Sequence, residues 1–217
     1  MVPKTLSLII ASSLLALVAL AAFGSGSAGA QDQDGKVKAF LDSRRGEWRD
    51  LNVSTNDGRI LYDLIIKNNY KRALEIGTST GHSGLWIAWA LSKTGGKLIT
   101  VEVDEGRYKE AVANFREAGL SDHIDARLAD AHELVPALAG PFDFVFCDAD
   151  KDWYKNYFIA VLPKLEPGGA FVAHNVSARQ RGWGAGEFLA YVEGLTDLET
   201  TFAPGSTAGI SISYKKK

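Results

Sequence analysis

Residues 73–84 read Ala73-Leu74-Glu75-Ile76-Gly77-Thr78-Ser79-Thr80-Gly81-His82-Ser83-Gly84, and this stretch decides the fold. A short apolar run ends in a glycine-rich turn, and a helical pattern follows at once from about Ser83 to Ser92. A strand that passes through a tight turn into a helix is the opening unit of an α/β sheet. Glycine permits the sharp turn and lets the backbone approach a ligand closely. The spacing, G-x-x-x-G-x-x-G, is not the G-x-G-x-x-G of dinucleotide binders, and no Gly-Lys-Ser/Thr closes it as in a P-loop. Glu75 just before the turn would repel a pyrophosphate and suits a cationic ligand instead.

Downstream the alternation continues. Lys97–Val103 reads as a β-branched strand and Glu105–Ala118 as a helix with Tyr108, Ala111, Val112 and Phe115 on one face. Ile124–Leu128 is a short strand, His132–Ala137 a brief helix, and Phe142–Cys147 a central strand. Trp153, Tyr154, Tyr157, Phe158, Val161 and Leu162 make the apolar stripe of the next helix. Pro167-Gly168-Gly169 turns into a strand over Ala170–Ala173, and Gly184–Gly194 is helical. Leu198–Ala203 and Ala208–Tyr214 flank a Pro204-Gly205-Ser206 turn, a hairpin signal that makes the last strand antiparallel. The rest of the sheet is expected to be parallel, with helices on both faces. Upstream, helical patterns cover Val37–Trp48 and Asp57–Lys67, the second with Ile60, Leu61, Leu64 and Ile65 on one face.

The first thirty residues are of another kind. Lys4 is the only charge before Asp32, Thr5 to Phe23 is nearly all apolar, and Ala28-Gly29-Ala30 offers the small residues a signal peptidase reads. Residues 1–30 are therefore expected to be an export signal cleaved before Gln31, which sends the protein to the periplasm or the exterior. An uncleaved membrane anchor is the alternative, since the apolar run just reaches bilayer length. A cytoplasmic protein is the third reading, if synthesis begins elsewhere. Residues 31–217 then make one domain whose N-terminal helices lie within 36–68. The chain carries 24 Lys+Arg against 26 Asp+Glu, a net charge of −2, and no basic stripe runs along any predicted helix. Nucleic acid is not expected as a partner, nor a membrane beyond the leader. The single cysteine, Cys147, cannot form an internal disulfide, and in its apolar strand it reads as a small buried hydrophobe.

Two further features carry chemistry. Glu102 closes the strand after the glycine loop, where a carboxylate can accept hydrogen bonds from ribose hydroxyls. The run Asp148-Ala149-Asp150-Lys151-Asp152 leaves the central strand with three carboxylates and an amine in five residues. Aspartates also collect at helix starts through capping and the helix dipole, and Asp150 and Asp152 are assigned to that class.

Five blocks taken together, LEIGTSTGHSG, TVEVD, ADAHELVPAL, FDFVFCDADKDWYKNYF and PGGAFVAHNV, resemble the cation-dependent O-methyltransferases, the family of catechol and caffeoyl-CoA O-methyltransferases. The resemblance runs in order over about residues 50 to 214. It implies a Rossmann-like class I methyltransferase with a seven-stranded, mostly parallel sheet whose last strand is antiparallel. It also implies S-adenosylmethionine as cofactor, with Glu75, Gly77 and Ser83 at its methionine end, Glu102 on the ribose, Asp130 and Ala131 beside the adenine, and Asp148 nearby. Asp148 would ligate a divalent cation, Mg²⁺ or Mn²⁺, completed by residues 174 and 175, and Lys151 would act as base on the acceptor hydroxyl. Asn175 matches the family pattern. His174 departs from it, standing where an aspartate is usual.

Three roles for His174 stay open: ligand to a softer ion such as Mn²⁺, Fe²⁺ or Zn²⁺, acid/base or orienting group without a metal, or a hydrogen-bonded histidine at a strand end. The candidate catalytic residues are thus Lys151, Asp148 and His174, and the candidate metal ligands Asp148, His174 and Asn175. The expected activity is methyl transfer to the hydroxyl of a small, catechol-like acceptor. Arg179, Arg181 and Trp183 lie in a segment, 177–186, that would shape the acceptor pocket. The alternatives are a nicotinamide-dependent oxidoreductase and an exported binding module on the same fold without turnover. The resemblance further implies a homodimer built through the N-terminal helices.

Overall fold

The computed structural model describes residues 32–178 and 184–217. The expected leader and the loop residues Arg179, Arg181 and Trp183 fall outside the described residues. The chain up to Ser43 and the chain from Arg44 onward are two compact units. In the first, residues 32–43 form helix α1. This helix starts and ends earlier than the Val37–Trp48 pattern, because residues 44–47 form a turn and Gly46 takes a left-handed φ of 89°.

The second unit alternates as expected. Its elements are α2 (Thr55–Asn68), β1 (Arg72–Ile76), α3 (His82–Thr94), β2 (Lys97–Glu102), α4 (Glu105–Glu117), β3 (Ile124–Leu128), α5 (Ala131–Ala137), β4 (Phe142–Cys147), α6 (Tyr154–Val161), β5 (Leu165–His174), α7 (Gly184–Glu193), β6 (Leu198–Phe202) and β7 (Ile210–Lys215). The strands form one seven-stranded sheet in the order β3-β2-β1-β4-β5-β7-β6. Only β7 runs against its neighbours, pairing antiparallel with both β5 and β6. The chain builds outward from β1 to β3, then returns to place β4 on the other side of β1. That reversal opens a crevice beyond the carboxyl ends of β1 and β4, the place where open α/β sheets bind ligands.

Strand alternation divides the core between the two faces of the sheet. In β4, Phe144 and Phe146 pack with Leu61 and Ile65 of α2 and Ile87 and Leu91 of α3. Val145 and Cys147 face the other way, into a cluster with Tyr154, Phe158 and Phe188. Cys147 is a buried free thiol whose pKa burial pushes up, in keeping with a packing role. The helices α2 and α3 approach closely because Gly58 leaves room where the Trp86 ring stands, space a β-carbon would need. Ser54 caps α2 by accepting from the Asp57 N–H.

Most boundaries shift by one or two residues, and two differ in kind. Strand β5 begins at Leu165, and the Pro167-Gly168-Gly169 turn lies inside it as an irregularity in the β4–β5 register. Two stretches of extended backbone are thereby joined into one strand. The turn between β6 and β7 is also longer than three residues; it is closed by Ala203 N–H donating to Ile210 O at 2.9 Å. Among the described residues no helix is long and apolar enough to cross a membrane.

Candidate active site

The loop after β1 is shaped by backbone geometry. Gly77 sits at φ 94°, and a β-carbon there would stand 2.8 Å from the Asp148 carbonyl oxygen. Strand β4 ends directly beneath, with the Asp148 N–H donating to Ile76 O at 2.9 Å. Ser79 also holds a positive φ, 49°, and its N–H donates to Glu102 Oε2 at 2.7 Å. Glu102 Oε1 accepts from the N–H groups of Val103 and Asp104, both at 3.0 Å. A single buried carboxylate therefore ties the glycine loop to the end of β2.

Around this loop lies a cavity of about 840 Å³. Gly77, Ser83, Glu102, Asp130, Ala131, Asp148, Lys151, His174 and Asn175 all line it, so the structure brings together nine of the ten residues singled out from the sequence. Asp130 stands at the start of α5 and accepts from His132 N–H at 2.8 Å.

Glu75 is the exception. Strand alternation turns it to the same face as Ala73, toward α3, and it is completely buried behind the cavity wall. Its Oε2 accepts from Thr100 Oγ1 at 2.5 Å, the Ser83 hydroxyl also bonds it, and Oε1 has no hydrogen-bond partner. Burial raises its pKa to about 8, against the lowering effect of those two hydroxyls. Burial thus holds the acid that reads as a negative charge in the sequence well above the usual carboxylate range.

The run after β4 is organised by contacts. Lys151 Nζ donates to Asp148 Oδ1 at 2.6 Å, to Tyr154 Oη at 2.8 Å and to Ala149 O at 3.2 Å. Tyr154 Oη in turn donates to the His174 carbonyl at 3.2 Å. Asp150 and Asp152 do more than decorate a solvated helix start. Asp150 accepts from Tyr157 Oη at 2.7 Å and faces His132 Nε2 at 3.0 Å, while His132 stacks on Trp153 at 3.8 Å between centroids. Asp152 accepts from the Gly184 N–H at 3.1 Å and so anchors the start of α7. Both carboxylates reach partners distant in sequence, which no local capping pattern reveals.

His174 ends β5 and is buried between two carboxylates. Its Nε2 lies 3.2 Å from Asp57 Oδ2 and its Nδ1 3.0 Å from Asp148 Oδ2, the second contact without the alignment of a good hydrogen bond. Burial alone would lower the histidine pKa, but the two carboxylates, Asp148 foremost, outweigh it and hold the value above the ordinary one. Asp57 escaped the sequence reading because an acid in the first turn of a helix is expected on dipole grounds alone.

The segment ahead of α2 was also missed. Asn52 donates to Thr80 Oγ1 at 2.7 Å and accepts from the His82 N–H at 3.3 Å, and Ser79 Oγ donates to the Asp50 carbonyl. Arg107 grips the Asp50 carboxylate with two bonds of 2.8 and 3.0 Å, holding its pKa below the usual aspartate value. His82 donates from Nδ1 to Val53 O at 2.9 Å and accepts at Nε2 from Trp86, which leaves it a neutral support for the loop. Leu51, Asn52 and Arg107 consequently join the cavity wall.

Of the candidate metal ligands, His174 Nδ1 has no hydrogen-bond partner and Asn175 lines the cavity beside it, while the other donor atoms are engaged. Asp148 Oδ1 is bonded by Lys151 and Oδ2 lies 3.0 Å from His174 Nδ1, while His174 Nε2 meets Asp57 Oδ2 at 3.2 Å. A ligating imidazole needs a free lone pair directed at the metal, and a hard cation needs several converging oxygens. Among the described residues no group of three histidine, cysteine or acidic side chains converges in that way.

Comparison with known proteins gives a consistent picture. A family model described as O-methyltransferase matches residues 37–180. A catechol O-methyltransferase of Niastella koreensis is 41% identical over 130 residues, covering 58% of this chain and 58% of the relative. Caffeoyl-CoA O-methyltransferase 1 of Eucalyptus globulus is 34% identical over 127 residues, covering 56% and 51%. The match thus spans little more than half the length of these curated relatives. Among solved structures, an O-methyltransferase from Bacillus cereus in complex with SAH superposes with a TM-score of 0.71 at 26% identity, over 84% of this chain and 91% of that one.

Proposed function

Since the chain belongs to the O-methyltransferase family, we propose that it transfers a methyl group from S-adenosylmethionine to a hydroxyl of a small, catechol-like acceptor. The observation that carries the proposal is one cavity, at the point where the sheet reverses, that gathers the glycine loop, Glu102 and the Asp148–Lys151 pair. Gly77, Ser83 and the loop would hold the methionine end, Glu102 the ribose, and Asp130 with Ala131 the adenine. The carboxylates of the wall, Glu102, Asp130, Asp148 and Asp150, suit a cationic ligand.

When bound, S-adenosylmethionine supplies an electrophilic methyl on a positively charged sulfur. The residues of this chain then manage the acceptor. Lys151 Nζ, held at 2.6 Å from Asp148 Oδ1, is the group placed to receive the acceptor hydroxyl and take its proton. The acceptor oxygen would then take the methyl from that sulfur, leaving S-adenosylhomocysteine, and the acceptor proton would stay on Lys151. Holding the acceptor oxygen in line with the methyl supplies much of the rate. A divalent cation, implied by the resemblance, would be met by Asp148, His174 Nδ1 and Asn175, and would acidify a hydroxyl bound to it.

Calorimetry separates this reading from the oxidoreductase alternative: S-adenosylhomocysteine is expected to bind and NAD is not. Binding of NAD in place of S-adenosylhomocysteine would overturn it. The same titration tests Glu75. A cationic amino group seated against Ser83 favours the ionised carboxylate, so binding releases a proton from a group whose pKa is about 8 in the free protein. Between pH 6 and pH 8 affinity should therefore rise with pH, approaching about tenfold per unit if Glu75 is fully ionised in the complex. Buffers of different ionisation enthalpy report the released proton directly. An affinity that stays flat across this range would remove Glu75 from cofactor binding.

A further inference from the structure

Asp50, Leu51 and Asn52 lie in no helix or strand, and the reaction as written does not use them. Leu51 nevertheless takes a φ of 54°, in the left-handed region, which a bulky residue adopts only when its surroundings hold it there. Its two neighbours supply that hold. The Asp50 carbonyl accepts from Ser79 Oγ, while the Asn52 side chain donates to Thr80 Oγ1 at 2.7 Å and accepts from the His82 N–H at 3.3 Å. These contacts tie the segment to the glycine loop and the start of α3. The remaining tie comes from the first turn of α4. There Arg107 donates from Nε to Asp50 Oδ2 at 2.8 Å and from Nη2 to Oδ1 at 3.0 Å, a planar two-bond grip. Leu51 lines the cavity and is still 71% exposed, so the segment forms the rim of the cavity rather than its floor. Gly77, Ser83 and Glu102 share that cavity, which puts the rim at the end assigned to the cofactor. Both partners of the ion pair are partly exposed and open to screening by salt. Once the pair parts, Leu51 is free to return to ordinary backbone and the rim to swing out.

We propose that the Asp50–Arg107 pair is a latch that holds the rim segment closed against the cofactor end of the cavity and slows cofactor exchange. Arg107 is a positioning residue in this role: it acts on the cofactor through Asp50 and the strained Leu51. The identity of the ligand rests on the methyl-transfer reading, but closure of the rim is measurable in the free protein.

Two measurements on the full chain test it. In the first, radiolabelled S-adenosylhomocysteine is bound and its dissociation followed in an excess of unlabelled ligand. Asp50→Asn and Arg107→Met should each raise the dissociation rate about two- to fivefold, the worth of an exposed ion pair, and the double variant should go no further. Arg107→Lys keeps the charge but loses the fork, and should fall between. S-adenosylhomocysteine carries no net charge, so added salt acts chiefly on the latch. Raising salt from about 0.05 to about 0.5 M should speed release from the unmodified protein and leave the two single variants nearly flat. The second measurement is amide hydrogen exchange in the free protein. The His82 N–H, whose acceptor is Asn52 Oδ1, should exchange about two- to fivefold faster in Arg107→Met, while that of Leu85, bonded to the Gly81 carbonyl, stays unchanged. A dissociation rate or a His82 exchange rate that these variants leave unaltered would overturn the proposal. If the unmodified protein binds no S-adenosylhomocysteine, the methyl-transfer reading fails instead, and His82 exchange alone decides whether the latch exists.

Discussion

Lys151→Met is expected to lower kcat by about 10²- to 10⁴-fold, the usual worth of a positioned acid–base group, while S-adenosylhomocysteine affinity stays within about twofold. The argument is geometric. Lys151 Nζ lines the cavity and is held by Asp148, Tyr154 and the Ala149 carbonyl, three contacts that fix where the acceptor proton is received. Methionine keeps the length and apolar stem of lysine and removes only the amine. The cofactor end of the cavity, around Gly77, Ser83 and Glu102, is left untouched. A drop in both turnover and cofactor affinity would mean that Lys151 mainly organises the loop. Retention of full turnover would remove it from the reaction. Single-turnover measurements at saturating cofactor distinguish these outcomes, because they report the chemical step rather than product release.

Gly77→Ala is expected to abolish cofactor binding and lower the melting temperature by about 2–12 °C. A non-glycine residue in the left-handed region costs on the order of 1–3 kcal/mol, and each kcal/mol shifts Tm by about 2–4 °C in a domain of this size. At φ 94° the new β-carbon also meets the Asp148 carbonyl at 2.8 Å, so either the loop or the end of β4 must move. Movement of either one displaces the Asp148–Lys151 pair relative to the cavity. Gly95→Ala is the control. Gly95 takes a similar φ of 75° at the end of α3, but nothing lies within 4 Å of where its β-carbon would be. Backbone strain alone therefore predicts a comparable but smaller loss of stability with activity retained. If both variants lose activity equally, the close approach of β1 and β4 is not what shapes the site.

The sheet was legible because its signals are periodic. Alternating strands and helices announced parallel pairing, and two strands across a short turn announced the reversed one; β7 between β5 and β6 is what such a hairpin produces. The cavity was legible where one residue type does one job at a strand end, as at Gly77 and Glu102. Charge state was not legible. Glu75 looks anionic in the sequence, but whether it ionises depends on burial against Thr100 and Ser83, which only folding sets. Pairing over long separations was hidden for a related reason. Asp57 and His174 are 117 residues apart, and an acid in a first turn looks ordinary until the fold lays it against a histidine. His174 itself stood out as a departure from a family pattern, yet its three readings could not be ranked before both neighbouring carboxylates were placed. The Asp50–Asn52 segment carried no motif, and its role rests on hydrogen bonds to a loop some thirty residues away.

The most direct test is transfer of the methyl group itself. The purified protein is incubated with methyl-labelled S-adenosylmethionine and catechol, once with chelator and once with Mg²⁺, and the products are weighed by mass spectrometry. Methyl transfer predicts singly methylated catechol carrying the label, formed over many turnovers and matched one-to-one by S-adenosylhomocysteine. Binding of S-adenosylhomocysteine with no labelled ether from catechol or any related phenol, with metal or without, would contradict it and leave a binding protein on a methyltransferase fold.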